Sequence, residues 1–327
     1  MKKKITIRQT QEGIKFIKDT FERKLAENLN LIRVSAPLFV TKESGLNDNL
    51  TGVEKPVSFK LGKYDIDMEI VQSLAKWKRM ALKKYNFEIG EGIYTDMNAI
   101  RPDEILDATH SIYVDQWDWE KVIDDKDRNL GYLKDTVRKI FKAFKDTEKE
   151  LLEYLPGCLD EKLPNEITFL TSQELEDMYP NLSSEERENA ACKQYKAIFV
   201  SHIGHKLNSG KPHDFRSPDY DDWNLNGDII FWNETLNASL ELSSMAIRVD
   251  KDSLLNQLNL TESNDRLKLD YHKKLIKGEL PFTIGGGIGQ SRICMFFLEK
   301  KHIGEVQASI WPKEVIEDCE NEGVFLL

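Results

Sequence analysis

Apolar residues recur every three or four positions at Ile14, Ile17, Phe21, Leu25 and Leu29, while Lys15, Lys18, Asp19, Glu22 and Arg23 fill the gaps. That period lays one apolar stripe along a long helix with a charged outer face. The following stretch, Leu31 to Val40, reads as extended and carries Pro37, which a sheet tolerates only at an edge or an interface. Tyr64, Ile66, Met68 and Ile70 then alternate with Asp65, Asp67 and Glu69, the pattern of a half-buried strand. Ser73 stands where a helix N-cap belongs, ahead of Leu74, Trp77 and Ala81 at helical spacing. A second alternation puts Ile112, Val114, Gln116 and Asp118 on one face of a strand and Tyr113, Asp115, Trp117 and Trp119 on the other. Leu133, Val137, Ile140, Phe141, Phe144 and Leu151 predict one long helix, and residues 172–195 a helical pair split at Pro180. Strands are predicted from Asp228 to Trp232 and from Glu241 onward, and the apolar run Ile293, Met295, Phe296, Phe297 and Leu298 predicts a buried helix.

The totals narrow the class. A chain of 327 residues is long enough for one α/β domain or two smaller ones, and can bury ~75% of its unfolded surface. The net charge is −10, with no basic run beyond Lys2 to Lys4, so nucleic acid is not expected as a main partner. Cys158, Cys192, Cys294 and Cys319 show no CxxC spacing, the start lacks a signal-like apolar segment, and nothing approaches a membrane-spanning length. The expectation is a reduced, unprocessed, cytoplasmic chain that does not meet the membrane.

Candidate chemistry gathers at a glycine cluster. Gly285, Gly286, Gly287 and Gly289 lack a Cβ, so backbone there can lie flat against a ring or a phosphate, and Arg292 follows at the start of the buried helix. A dinucleotide fingerprint fails because its third glycine is Gln290, and a P-loop fails because no lysine lies between Gly285 and Arg292. A glycine-rich bulge beside a packed helix is the plainer alternative. Gln116 and Asp118 share a face with aliphatic residues, a combination that suits a ligand-facing wall better than a core. Asp228 and Glu241 fall on neighbouring predicted strands, which suits Mg²⁺ bridging phosphates, since that ion takes few protein carboxylates and keeps waters. Asp221 and Asp222 sit in the loop before the first of these strands, with Asp222 readable as an ordinary solvated acid. His202 and His205 spell a class I synthetase signature out of context, and with His213 they lack the cysteine or acidic helix that a zinc site needs.

The run from Gly285 to Arg292 resembles motif three of the class II aminoacyl-tRNA synthetase fold. Arg101-x-Asp103, a loop, and His110 followed by Asp115 resemble motif two, and the long first helix with its Pro37 strand resembles motif one. The segments LAKWKR, IRPDE, IYVDQWDWE, PDYDDW, NGDI, ELSSM and IGGGIGQSR span the chain and together resemble the ammonia-dependent asparagine synthetases. The resemblance implies an α/β chain of the α+β type, residues 1–327 forming one class II synthetase-like catalytic domain, mainly an antiparallel sheet flanked by helices. It implies a homodimer joined through motif one. The implied reaction is L-aspartate, ATP and ammonia giving L-asparagine, AMP and pyrophosphate through a β-aspartyl adenylate, with Mg²⁺ as helper ion.

By the same comparison Arg101 grips the α-phosphate, while Arg292, Gly287, Gly289, His110 and Ser111 surround ATP. Ser111 stands near the place of the usual adenine-stacking aromatic, which leaves the stacking residue open. Lys78 is the implied carboxylate binder, with Lys76 as a surface alternative; Asp118, Asp221 and Ser244 complete the aspartate site. Arg101, Gln116, Arg292 and Asp48 are the implied catalytic group, and Asp228 and Glu241 the metal ligands. Asp48, in the loop Asp48-Asn49-Leu50-Thr51-Gly52, is the candidate base that accepts a proton from ammonium. No glutaminase is expected: Lys2 follows Met1, and neither Cys158 nor Cys192 sits in a nucleophile elbow. The acidic charge and chain length disfavour tRNA. Two other classes stay open. A class II paralogue could charge a tRNA or a protein, and a non-catalytic amino-acid sensor would be expected to have lost Arg101, Glu241 or Arg292.

Overall fold

A computed structural model describes residues 2–48 and 54–327. Helix α1 (Ile7–Leu29) begins well before the stripe at Ile14, because Thr6 and Gln9 cap each other's backbone and fix the first turn. The stretch expected to be one strand divides into β1 (Leu31–Arg33) and β2 (Phe39–Thr41), which join different sheets, and Pro37 lies in the gap where no ladder hydrogen bond is required. Strand β3 (Ser58–Leu61) and strand β4 (Ile66–Ile70) complete a small antiparallel sheet in the order β2-β4-β3. The alternation over 64–70 is a strand from Ile66 only, and it is not half-buried: Met68 is its one buried side chain and Tyr64 before it is 63% exposed.

Helix α2 (Ala75–Lys84) starts one residue later than expected, since Leu74 takes the cap position and the Ser73 hydroxyl accepts instead from the Ala75 amide at 3.2 Å. There follow β5 (Gly92–Ile100), β6 (Tyr113–Val122) and the long α3 (Leu130–Tyr154). After β7 (Thr168–Thr171), Pro180 separates α4 (Ser172–Met178) from α5 (Ser184–Tyr195), and β8 (Ala197–Ser201) comes next. Strand β9 (Asp221–Asn233) takes in Asp221 and Asp222, which the sequence had suggested lay in a loop, and pairs along β10 (Ala238–Arg248). Helices α6 (Lys251–Leu260) and α7 (Asp270–Ile276) lead to β11 (Thr283–Gly289), α8 (Gln290–Phe297) and α9 (Lys313–Asn321).

The main sheet runs β1-β5-β6-β11-β10-β9-β8-β7; only its two outermost pairs, β1 with β5 and β7 with β8, are parallel. One face carries the principal core. Phe21 of α1 lies 5.0 Å from Trp117 and 4.7 Å from Phe144 of α3, and Phe231 meets Phe144 and Phe296. Burying each such side chain is worth about 2–3 kcal/mol. Trp117 and Trp119 both point into this core. The alternation on β6 therefore sends Gln116 and Asp118 to the opposite face. That face is where the glycines matter: a Cβ at Gly285 would strike the Glu120 carboxylate, and one at Gly287 the Gln116 amide.

Candidate active site

A cavity of about 390 Å³ opens on that second face, floored by β6, β9, β10 and β11. Gly287, Gly289 and Arg292 form one end with Arg101, His110, Ser111 and Glu241, so the residues expected around ATP do come together. Arg101 donates to the Gln72 carbonyl at 3.5 Å, and its buried Nε has no partner, which leaves a guanidinium with capacity to spare. Arg292, in the first turn of α8, donates to the Glu241 carbonyl at 3.0 Å with the Glu241 carboxylate 3.7 Å away. The Ser111 hydroxyl is engaged by Ser309 at 3.0 Å, and His110 Nδ1 by Asp107 at 2.9 Å.

The other end rests on a buried charge network. Lys78 reaches Asp118, the Trp119 carbonyl at 2.9 Å and the Gly286 carbonyl at 3.1 Å, with Glu120 at 3.8 Å. Its side chain is wholly buried beneath the floor, where it pairs with Asp118 and the Gly286 carbonyl, both of residues that line the cavity. Burial holds the Lys78 ammonium below its usual range, with Asp118 and Glu120 opposing. Arg248 grips both Glu120 oxygens at 2.8–3.1 Å and also Asp221. Despite burial, Arg248 and Lys78 hold the Glu120 carboxyl below its usual range. Three carboxylates (Asp118, Glu120, Asp221) against two cations (Lys78, Arg248) leave one excess negative charge, and Asp118 and Asp221 turn it toward the cavity.

Asp48 lies behind the wall. Its carboxylate is buried, accepts from the Tyr220 hydroxyl at 2.7 Å and, among the described residues, has no partner on the other oxygen; Tyr220 itself lines the cavity. Burial raises the Asp48 carboxyl, with Lys76 opposing. Asn49 to Gly52 of its loop lie outside the described residues. Lys76 is no surface residue. It is buried 3.3 Å from Asp219, which also holds Arg266 at 3.1 Å and His272 at 3.0 Å, so a second charge cluster supports Asp48 from below. Asp222, read as a solvated acid, is likewise buried and paired with Arg128 at 3.0 Å.

Asp228 and Glu241 offer hard carboxylate oxygens on adjacent strands, Glu241 lining the cavity and Asp228 buried beside Ser244, a donor set that fits Mg²⁺. The fit carries a condition. Both Asp228 oxygens accept from Arg216 Nη2 at 2.7 Å, so the carboxylate already holds a cation from its own chain. Arg216 also reaches Ser244 and stands 3.9 Å from Asp221. Burial and the nearby Glu241 push the Asp228 carboxyl up to about 7, against the pull of Arg216. Among the described residues no three His, Cys, Asp or Glu side chains form a ready-made metal cage. His202, His205 and His213 go separate ways, to Ser201, to the Trp223 ring and to Glu188.

Sequence reasoning missed Phe215, Arg216, Tyr220 and the cavity role of Arg248. Phe215 is 42% exposed at the rim and is one of the aromatic faces available to a base, with Tyr113 and Tyr220. The available signal was adjacency: Phe215 and Arg216 directly precede Ser217 and the PDYDDW segment.

Comparisons with known proteins bear on this geometry. A family model described as aspartate-ammonia ligase matches residues 8–323. The chain is 60% identical over 327 residues to the aspartate–ammonia ligase of Clostridium tetani, covering 100% of this chain and 96% of that protein. It is 60% identical over 323 residues to the one from Fusobacterium nucleatum, covering 99% and 98%. Among solved structures, asparaginyl-tRNA synthetase from Pyrococcus horikoshii complexed with asparaginyl-adenylate superposes with a TM-score of 0.66 at 17% identity, over 93% of this chain and 70% of that one. The aspartyl-tRNA synthetase of Entamoeba histolytica gives 0.61 at 17% identity over 91% of this chain and 58% of its own length. At such identities the likeness concerns the fold: a class II synthetase-like α/β architecture.

Proposed function

This chain belongs to the aspartate–ammonia ligase family, and from that premise we propose how its cavity works. The protein is a ligase forming a carbon–nitrogen bond on aspartate to give asparagine. Transfer to a tRNA or protein acceptor, the other reading left open by the sequence, is not favoured by that membership.

In our reading ATP lies along Gly287 and Gly289 with its phosphates toward Arg101 and Arg292, and aspartate lies between Gln116 and the charge network. The excess negative charge at Asp118 and Asp221 takes the α-ammonium, while Ser244 and Arg248 on the same wall suit the α-carboxylate. That leaves the β-carboxylate facing the phosphates. One of its oxygens attacks the α-phosphorus and pyrophosphate leaves, with Arg101, Arg292 and the Gln116 amide meeting the charge that builds on the phosphoryl oxygens. Asp228 and Glu241 would hold Mg²⁺, which adds neutralising charge at the phosphates when bound.

Ammonium then gives a proton to Asp48 through the Tyr220 hydroxyl. The freed amine attacks the β-carbonyl carbon, the bond to the phosphate oxygen breaks, AMP leaves, and a second proton passes to solvent. The observation that carries this step is the 2.7 Å bond from Tyr220, on the cavity wall, to the buried Asp48 carboxylate. A carboxyl raised by burial is a better proton acceptor than an ordinary aspartate.

The test separates the half-reactions. Asp48→Ala keeps aspartate-dependent exchange of pyrophosphate into ATP but loses asparagine formation from ammonium by about 10²–10⁴-fold, the usual worth of a positioned base. Parallel decline of both would place Asp48 in substrate binding, and glutamine serving as well as ammonium would refute free ammonia as nitrogen source. A homodimer also fits. Ile32, Leu38, Phe39, Phe59 and Leu61 are exposed on and around β1, β2 and β3, a face that a second copy would cover. Residues 1–327 then act as one catalytic domain, in the cytoplasm, where its four unpaired cysteines would stay reduced.

A further inference from the structure

Asp228 and Arg216 form a bidentate pair, with two hydrogen bonds of 2.7 Å running from one guanidinium nitrogen to both carboxylate oxygens. The guanidinium is nearly buried, its Nε is unsatisfied, and three further acidic or polar groups face it: Asp221 at 3.9 Å, the Ser244 hydroxyl and, from β10, Glu241. Glu188 of α5 adds negative charge to the same pocket, where His213 holds it at 2.8 Å. Arg216 is carried by the irregular segment between β8 and β9, beside the exposed Phe215, so its side chain is not locked by a strand. It already lines the cavity with Arg101 and Arg292. Glu241, the other expected metal ligand, is held far less tightly: its carboxylate stands 3.7 Å from Arg292.

We propose that Arg216 and a divalent cation compete for Asp228, and that the triphosphate of ATP opens the site by drawing Arg216 away from it. The proposal rests on the reading of Asp228 and Glu241 as the metal pair. A carboxylate that gives both oxygens to a guanidinium has no free edge for a hard cation, and two positive charges on one buried carboxylate repel. The phosphates offer Arg216, which lines the cavity, an alternative anionic partner. The carboxylate passes to the metal as the arginine passes to the phosphate, and the pocket never buries an unpaired charge. Arg216 acts here as a positioning residue that sets the order of loading.

The experiment is a titration of the nucleotide-free full-length protein with Mn²⁺, followed by calorimetry and by the resonance of free Mn²⁺. Arg216→Met, which keeps length and removes charge, is expected to bind Mn²⁺ at least about tenfold more tightly than the wild type, and Arg216→Lys, a cation without the fork, should fall between. Should the methionine variant not fold, the lysine variant alone carries the test through tighter binding than wild type. Equal or weaker binding in the folded variants overturns the competition. Asp228→Asn placed in the Arg216→Met protein distinguishes the two layers: it must remove the gain in Mn²⁺ affinity, and if the double variant binds as tightly as Arg216→Met alone, the metal assignment fails and the proposal falls with it.

Discussion

Lys78→Met destabilises the protein by about 3–5 kcal/mol, the usual cost of removing one partner from a buried ion pair. The ammonium is wholly enclosed, and it answers Asp118 directly and Glu120 at 3.8 Å, with two carbonyls taking its remaining protons. Without it Asp118 loses its cation partner, and Glu120 is left with Arg248, for which Asp221 competes. Thermal unfolding in the absence of ligand reads the loss. Adding Asp118→Leu to the Lys78→Met protein should restore most of it, because an apolar pair of similar volume leaves no orphaned charge. A single variant as stable as the wild type would mean that the lysine is dispensable to the network.

Arg292→Ala is expected to do the reverse, leaving stability within about 0.5 kcal/mol while removing about 3–4 kcal/mol of transition-state stabilisation, or 10²–10³ in rate. Its side chain is 23% exposed and makes only a backbone bond and a loose approach to Glu241, so little of the fold depends on it. Its position, at the first turn of α8 directly after the glycines, sets it against the phosphate end of the cavity. Aspartate-dependent pyrophosphate exchange is the direct readout. Near wild-type exchange would move the phosphate contact to Arg101 or Arg216.

What the sequence made legible was whatever a period or a glycine could carry. The stripe of α1, the long α3, the break at Pro180 and the two faces of β6 followed from spacing, and the cavity floor followed from β6 and the glycines. The charges were harder. Lys76 reads as a surface alternative, yet it points inward as Lys78 does, because each meets an acid far away in sequence: Asp219 for one, Asp118 for the other. No local pattern encodes such pairs. Arg216 and Phe215 escaped notice for a related reason, since the segment between β8 and β9 has no periodicity from which a facing direction could be read. The start of β9 was placed late because Asp221 and Asp222 look like loop residues until their arginines are known.

Strand β11 carries a further consequence. A strand built around four glycines should be a poor sheet former, but it lies between β6, which pairs along its whole length, and β10, which pairs from Ile284 to Ile288. Its amide hydrogens therefore exchange with deuterium only when the entire sheet opens, on the slowest timescale of the molecule. Amides of residues 208–216, in the segment that bears Arg216, need only local opening and should exchange far sooner. Nucleotide that recruits Arg216 would slow exchange in that segment and leave β11 unchanged, so the two walls of one cavity would report on ligand with different clocks.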